Sequence, residues 1–244
     1  MKLARRVEPE WLDELPARDP GAVGSRKDLE ALNRLMGHAA LMARLLQAAG
    51  ATSWMRTLVD LGAGDGRFML TLARHLTSPR ARPVKAVLVD RREAVSGAVL
   101  EEITRFGWEV ETVQADVFDF LTQSKPQDGT VMIANLFLHH FEPTSLRRLL
   151  LEAALKSDAF AACEPRRSHF ALAASKMVGL IGCNRVTRHD APASVRAGFT
   201  GHEISEAWTD VAGAGWENEE GRLGLFSHAF AAWKTGRTPR GNGR

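Results

Sequence analysis

A chain of 244 residues with 45% hydrophobic residues and a formal charge of +3 has the size and composition of one large globular domain, or of a domain with a cap. Its mild basicity, with an isoelectric point of about 9.1, is partly carried by the chain ends and does not by itself demand nucleic acid. Two cysteines, Cys163 and Cys183, without a C-x-x-C pair or histidines at zinc spacing, suit a reducing cytoplasm and give no sign of a metal centre.

The N-terminus reads Met-Lys-Leu-Ala-Arg-Arg and soon turns to Glu8, Pro9, Glu10 and Trp11, which is no signal-peptide core. The most apolar stretch, 170–181, carries Lys176 and falls short of the ~20 residues a membrane span needs, so a soluble, cytoplasmic protein is expected. Residues 1–24 contain proline and show no period, which predicts an extended arm or a short helix. From Ser25 a capping-box-like start leads to Leu32, Leu35, Ala39, Met42 and Leu46, predicting one amphipathic helix that ends at Gly50. That helix packs on the core or covers a site as a lid. The division expected is an arm and lid over 1–55, the main domain over 56–235 and a disordered basic tail over 236–244.

Strand candidates at 57–61, 86–90, 109–114, 130–135 and 159–163 alternate with helical patterns, the clearest at 143–155, where Pro143 suits the first turn. This alternation predicts an α/β, doubly wound, mostly parallel sheet, and the runs 216–219 and 225–233 predict a closing hairpin. Residues 164–200 exceed the one helix such a sheet needs between strands. They read as an apolar helix over 170–181 and a polar loop over 184–199, followed by a helix over 200–208 capped by Thr200 and Glu203. An insertion at the carboxyl ends of the strands lies where open α/β sheets bind ligands, so it is read as a substrate cap.

The first strand runs into VDLGAGDG, residues 59–66, and then into a helix with Phe68, Met69, Leu72, Ala73 and Leu76 on one stripe. Gly62, Gly64 and Gly66 give G-x-G-x-G preceded by Asp60, whereas a dinucleotide fingerprint runs G-x-G-x-x-G. Nicotinamide binding is therefore a minor option. Glycine here permits positive φ and lets a ligand lie against the backbone.

This stretch resembles the first motif of class I S-adenosylmethionine-dependent methyltransferases. Three further stretches match in order: KAVLVD at 85–90, VQADVFDF at 113–120 and VMIANLFLHH at 131–140. The resemblance covers roughly residues 57–234. It implies a seven-stranded Rossmann-like sheet with the last strand antiparallel, S-adenosyl-L-methionine as cofactor and S-adenosyl-L-homocysteine as product. By the same resemblance Asp90, with Arg91 beside it, meets the ribose hydroxyls, beyond a proline-flanked loop over 76–83. Asp116 and Val117 would hold the adenine, and Asn135, by its backbone carbonyl, with Leu136 the methionine end. Asp60 would satisfy the amides of the glycine turn as well as bind the methionine amino group.

Methyl transfer is an in-line displacement, so placing donor and nucleophile at near-attack distance supplies up to about 7–11 kcal/mol. A phenol of pKa ~10 also needs a base. His139 and His140 follow the fourth strand; if the chain is still extended there, one faces the pocket and the other packs away. Glu164, past the fifth strand, would orient the imidazole, as in the pair that this arrangement resembles in small-molecule O-methyltransferases of natural-product pathways. Alternatively His139 shapes the loop and Glu164 holds Arg166 or Arg167.

Acceptor contacts are expected from Asn33 and His38 on the lid and from His189, Asp190 and Arg196 in the cap, although Asp190 could instead tie the loop to an arginine. The chain has no tyrosine and no Asn-Pro-Pro-Tyr-like run for nucleic-acid bases, and no acidic trio for magnesium, so no metal is expected. RHDAPASVRAGF, 188–199, resembles methyltransferases encoded near type III polyketide synthases. The reading is methyl transfer to a small, largely apolar acceptor, most plainly a phenolic or quinol-like oxygen. C-methylation of a quinone precursor and a non-catalytic cofactor-binding partner in a biosynthetic complex stay open as alternatives.

Overall fold

The computed structural model describes residues 3–76 and 83–237; the proline-flanked loop and most of the basic tail lie outside the described residues. The N-terminal part carries α1 (Trp11–Glu14), α2 (Pro20–Met36), α3 (His38–Ala48) and α4 (Ala51–Trp54). Then come β1 (Thr57–Leu61), α5 (Arg67–Leu76), β2 (Lys85–Asp90), α6 (Gly97–Arg105), β3 (Glu109–Gln114), α7 (Val117–Gln123) and β4 (Thr130–Asn135). A short 3-10 turn, Leu138–His140, leads to α8 (Pro143–Lys156) and β5 (Ala159–Pro165). The chain closes with α9 (His169–Ser175), a second 3-10 turn (Val178–Ile181), α10 (Arg185–Ala197), α11 (Glu203–Ala212), β6 (Trp216–Leu223) and β7 (Ser227–Lys234).

The strands form one seven-stranded sheet in the order β3-β2-β1-β4-β5-β7-β6, with β1 to β5 parallel and β7 antiparallel to both neighbours, as expected. Alternation along β1 sends Leu58 to one face and Val59 to the other. Leu58 packs with Met42, Leu46, Met69 and Leu72, which lie on α3 and α5. Val59 packs with Leu121, Leu149, Phe160 and Trp208 on the α7, α8 and α11 side. The strand order reverses between β1 and β4, and at such a switch point the exit loops diverge and leave a crevice.

Four expectations are corrected. The single helix over 25–50 starts earlier and is two helices: Asp19 accepts the amides of Gly21 and Ala22 with Pro20 in the first turn, and Gly37 at φ 68° ends α2. Ser25 is no cap, being buried inside α2 with its hydroxyl bonded to Thr187. The apolar stretch 170–181 is α9 followed by a 3-10 turn. The polar loop over 184–199 is α10, capped by Asn184; it buries Val186, Asp190, Ala193 and Ala197, a helical period masked by its polar composition and by Pro192. Thr200 and Glu203 do meet, through the Thr200 amide and Glu203 Oε2 at 3.2 Å, but the helix runs Glu203–Ala212 with His202 at its N-cap and no side-chain cap, so Thr200 does not cap it.

The glycine turn is also resolved in detail. Gly62 and Gly64 take φ of 76° and 57°. A Cβ on Gly62 would lie 2.2 Å from the Phe137 ring, whereas one on Gly64 would meet nothing within 4 Å. The backbone is thus covered by Phe137 at Gly62 and open to a ligand at Gly64. Asp60, in β1, is buried with Oδ2 unpartnered, and burial, reinforced by the charge of Asp90, pushes its carboxyl up to about 8. It does not serve the glycine-turn amides: those of Gly62 and Ala63 donate to the Val89 carbonyl, and that of Gly64 to Asp90.

Both features are testable. Gly62→Ala and Gly64→Ala each force a left-handed alanine, worth about 1–2 kcal/mol, but only the former must also move an aromatic ring; chemical denaturation should show the larger loss at Gly62. Between the unfolded value and about 8, unfolded Asp60 is ionised while the folded carboxyl keeps its proton. Its contribution to stability therefore falls as pH rises, by up to about 1.4 kcal/mol per pH unit. Urea unfolding of Asp60→Asn from pH 4 to 8 should show that slope reduced; an unchanged slope would contradict the assignment.

Candidate active site

Above the carboxyl ends of β1 and β4 lies a cavity of about 1110 Å³. This is at the upper edge of the ~300–1,000 Å³ usual for small-molecule sites, so it has room for two metabolite-sized ligands. Its floor is the glycine turn and the exits of β2, β3 and β4; its roof is residues 7–14, α2, the start of α3 and the α9–α10 cap.

One half is built for a polar ligand. Asp90 ends β2 and lines the cavity, its Oδ2 accepting the Gly64 amide and its Oδ1 that of Arg92, both at 2.9 Å; a carboxylate still has acceptor capacity left for hydroxyls. Arg91 lines the wall beside it. Asp116 caps α7 through the Phe118 amide at 2.8 Å, and with Val117 forms the wall past β3. At the end of β4, Asn135 Oδ1 accepts from His38 Nδ1 at 2.9 Å, and the other nitrogen of His38 meets the Ser227 hydroxyl at 2.7 Å. Burial lowers the pKa of His38, opposed by its bond to Asn135, so the ring is neutral. Leu136, at φ 53°, is the one non-glycine residue with positive φ among the described residues. Such strain concentrates where a loop must hold a functional shape.

The other half centres on Glu164. It lies within β5 rather than past it, fully buried, and accepts the amides of Phe137, Leu138 and His139 at 3.0, 2.8 and 3.3 Å. Its Oε2 also binds His139 Nδ1 at 2.7 Å. Glu164 therefore orients the imidazole and does not pair with Arg166 or Arg167; Arg167 instead pairs with Glu203. The segment of His139 and His140 is a 3-10 turn, not extended, so both histidines line the cavity. His139 Nε2 points toward Glu10 Oε1, 3.4 Å away, and His140 Nδ1 toward Asp13 Oδ2, 3.1 Å away. Burial alone would lower the His139 pKa, but the carboxylates of Glu10 and Glu164 raise it to about 10. Between these two carboxylates the ring holds its proton more tightly than a free imidazole does.

Glu10 and Asp13 were not among the expected site residues. They arrive on a strap, residues 5–14, that crosses from the cap to the sheet. Arg6 N donates to the Arg196 carbonyl, and Arg196 pairs with Glu8 at 2.9 Å. The amides of Trp11 and Leu12 donate to Asp190, and the Ser194 hydroxyl donates to Glu10. At the far end Arg92 holds the Leu12 carbonyl, while Arg5 reaches the carbonyls of His139 and Phe141. Asp190 and Arg196 are therefore fasteners of the strap and His189 stacks on Trp11 with centroids 3.8 Å apart; none of the three lines the main cavity. Asn33 and His38 do line it, and Asn33 Oδ1 is buried without a partner. Asp60 lies outside the lining.

No family model matches the sequence, and no curated protein matches it. Solved structures do. The plantazolicin methyltransferase BamL, in complex with a triazolic desmethylPZN analog and SAH, superposes with TM-score 0.63 at 10% identity, over 91% of this chain and 92% of that one. Magnesium protoporphyrin IX methyltransferase (ChlM) from Synechocystis PCC 6803 with bound SAH gives 0.53 at 13%, over 89% and 88%. An O-methyltransferase family protein from Burkholderia thailandensis gives 0.55 at 16%, over 82% of this chain but only 57% of its own. At these identities the likeness is one of architecture: the chain has the seven-stranded, Rossmann-like fold of S-adenosylmethionine-dependent methyltransferases.

Proposed function

We propose that the protein is an S-adenosylmethionine-dependent methyltransferase acting on an oxygen of a small, largely apolar acceptor, phenolic or quinol-like. The observation that carries this reading is the single cavity joining the Gly64, Asp90 and Asp116 wall to the Glu10, His139 and His140 cluster. Open space at Gly64, a carboxylate ending β2 and the capped start of α7 fit the methionine, ribose and adenine parts of the cofactor. When bound, S-adenosylmethionine would supply a methyl group on a sulfonium, ready for displacement.

The chain's own part is then positioning and charge. Asp90 offers its remaining acceptor sites to the ribose hydroxyls, and the strained Leu136 turn shapes the floor between donor and acceptor. His139, fixed by Glu164, turns its one unpartnered nitrogen to the cavity, where an acceptor oxygen finds a positive group that favours its anionic form. Leu35, Met177, Leu180 and Ile181, exposed around the cavity, suit an apolar body or alkyl chain on the acceptor. The structural neighbours named for plantazolicin, mitomycin and magnesium protoporphyrin also support a small-molecule acceptor. An alkylated phenol of the kind type III polyketide synthases supply is the acceptor to try first.

Two measurements test this. Calorimetry should show S-adenosylmethionine and S-adenosylhomocysteine binding near micromolar, about −8 kcal/mol, weakened roughly tenfold in Asp90→Ala. Methyl-labelled S-adenosylmethionine should then transfer label to alkylphenols or quinols. Binding without transfer to any acceptor would favour the non-catalytic cofactor-binding reading; no binding of either nucleoside would end the methyltransferase reading.

A further inference from the structure

The cluster facing the acceptor half is more than a hydrogen-bonded triad. Glu10, His139 and His140 each bring one donor atom to the cavity wall, and these atoms lie within 4.8 Å of one another. The 3.4 Å between Glu10 Oε1 and His139 Nε2 is what two ligands ~2.0–2.1 Å from one tetrahedral ion would show. His139 Nε2 faces Glu10 Oε1 without making a hydrogen bond to it, although the residue is 2% exposed, so two polar atoms converge at this point with room between them. A buried nitrogen in that state is costly unless something fills the site.

The supporting contacts are those of a metal site. Metal-bound histidines characteristically donate their other ring N–H to a carboxylate, which fixes tautomer and orientation. His139 Nδ1 does so to Glu164 Oε2 at 2.7 Å, and His140 Nδ1 meets Asp13 Oδ2 at 3.1 Å. The carboxylate ligand is itself held, by the Ser194 hydroxyl. Two imidazoles and one carboxylate form a borderline donor set that suits zinc or a neighbouring transition ion; magnesium prefers oxygen ligands alone.

We infer that Glu10, His139 and His140 form a binding site for one divalent transition-metal ion of the zinc class, with its open coordination position toward the cavity. The sequence carries no metal-spacing motif for this site because the third ligand, Glu10, lies on the strap, far from the histidines in the chain. The ion would displace the proton from His139 Nε2, releasing it to solvent, and would occupy the place where the acceptor oxygen meets His139, taking over the role of holding that oxygen as an anion. That role rests on the methyl-transfer reading; the capture of the ion does not.

The test uses the full-length protein, stripped with a chelator, desalted and titrated with Co²⁺ and then Zn²⁺ in the absence of any nucleoside. Visible absorption of bound Co²⁺ and elemental analysis after gel filtration give geometry and stoichiometry. The expected result is one ion per chain, Zn²⁺ displacing Co²⁺, with affinity reduced about tenfold or more in Glu10→Gln and in His140→Asn, and about 10–100-fold in Glu164→Gln. Glu101→Gln, an exposed carboxylate on α6, should bind as the unaltered chain does. Circular dichroism and thermal unfolding of the metal-free variants separate loss of the site from loss of the fold; should His140→Asn not fold, Glu10→Gln on the strap decides. No retained ion in the unaltered chain, or equal affinity in folded Glu10→Gln, would overturn the inference. S-adenosylhomocysteine binding to the metal-free chain is read separately, so a failed metal site and a failed methyltransferase reading give different results.

Discussion

A carboxylate without solvent exposure survives at Glu164 because four donors converge on it: three successive amides of the turn after β4 and the Nδ1–H of His139. Burying an ion is costly, and hydrogen bonds of this number and quality are what offset the cost. The consequence is geometric. The turn cannot relax, Leu136 is held at positive φ, the Phe137 ring is pinned over Gly62, and His139 is aimed into the cavity. Strand pairing between β4 and β5, with Asn135 opposite Cys163, places Glu164 where it can do this. One buried side chain thus couples the sheet, the glycine turn and the polar end of the cavity.

The strap completes what Glu164 begins. Its fasteners on α10 and on Arg92 bring Glu10 and Asp13 over the two histidines, so the N-terminal segment supplies part of the polar wall at that end of the cavity. The polar residues of α10 that could have been acceptor contacts are used for this docking instead. The inner side of α10 carries Thr187 and Asp190 beside its apolar residues, which with Pro192 masks the helical period in its sequence.

The sheet was legible because its central strands β1, β2, β4 and β5 are short apolar runs, two of them ending in a polar residue that lines the cavity, Asp90 and Asn135. Glu164 was legible as a partner of His139, though its place inside β5 was hidden by the shortness of the apolar run Ala159 to Cys163. The glycine turn was half legible: spacing showed where φ is positive, but only packing shows that Phe137 fills the space at Gly62 and leaves Gly64 open. Glu10 carried no periodic or motif signal at all, since its meaning depends on a contact across more than half the chain. The break at Gly37 was hidden because the apolar stripe continues on both sides of it; a left-handed glycine changes direction without interrupting the pattern.

The central claim is spatial: donor and acceptor share one cavity, with the transferred group between the Leu136 turn and the cluster of Glu10, His139 and His140. A crystal structure of the chain with S-adenosylhomocysteine tests it most directly. The account predicts ribose hydroxyls on Asp90, adenine beside Asp116 and Val117, the amino-acid part over Gly64, and the sulfur facing His139 across an open space. A nucleoside bound elsewhere, or a sulfur turned away from His139 and closed off from the strap, would contradict it.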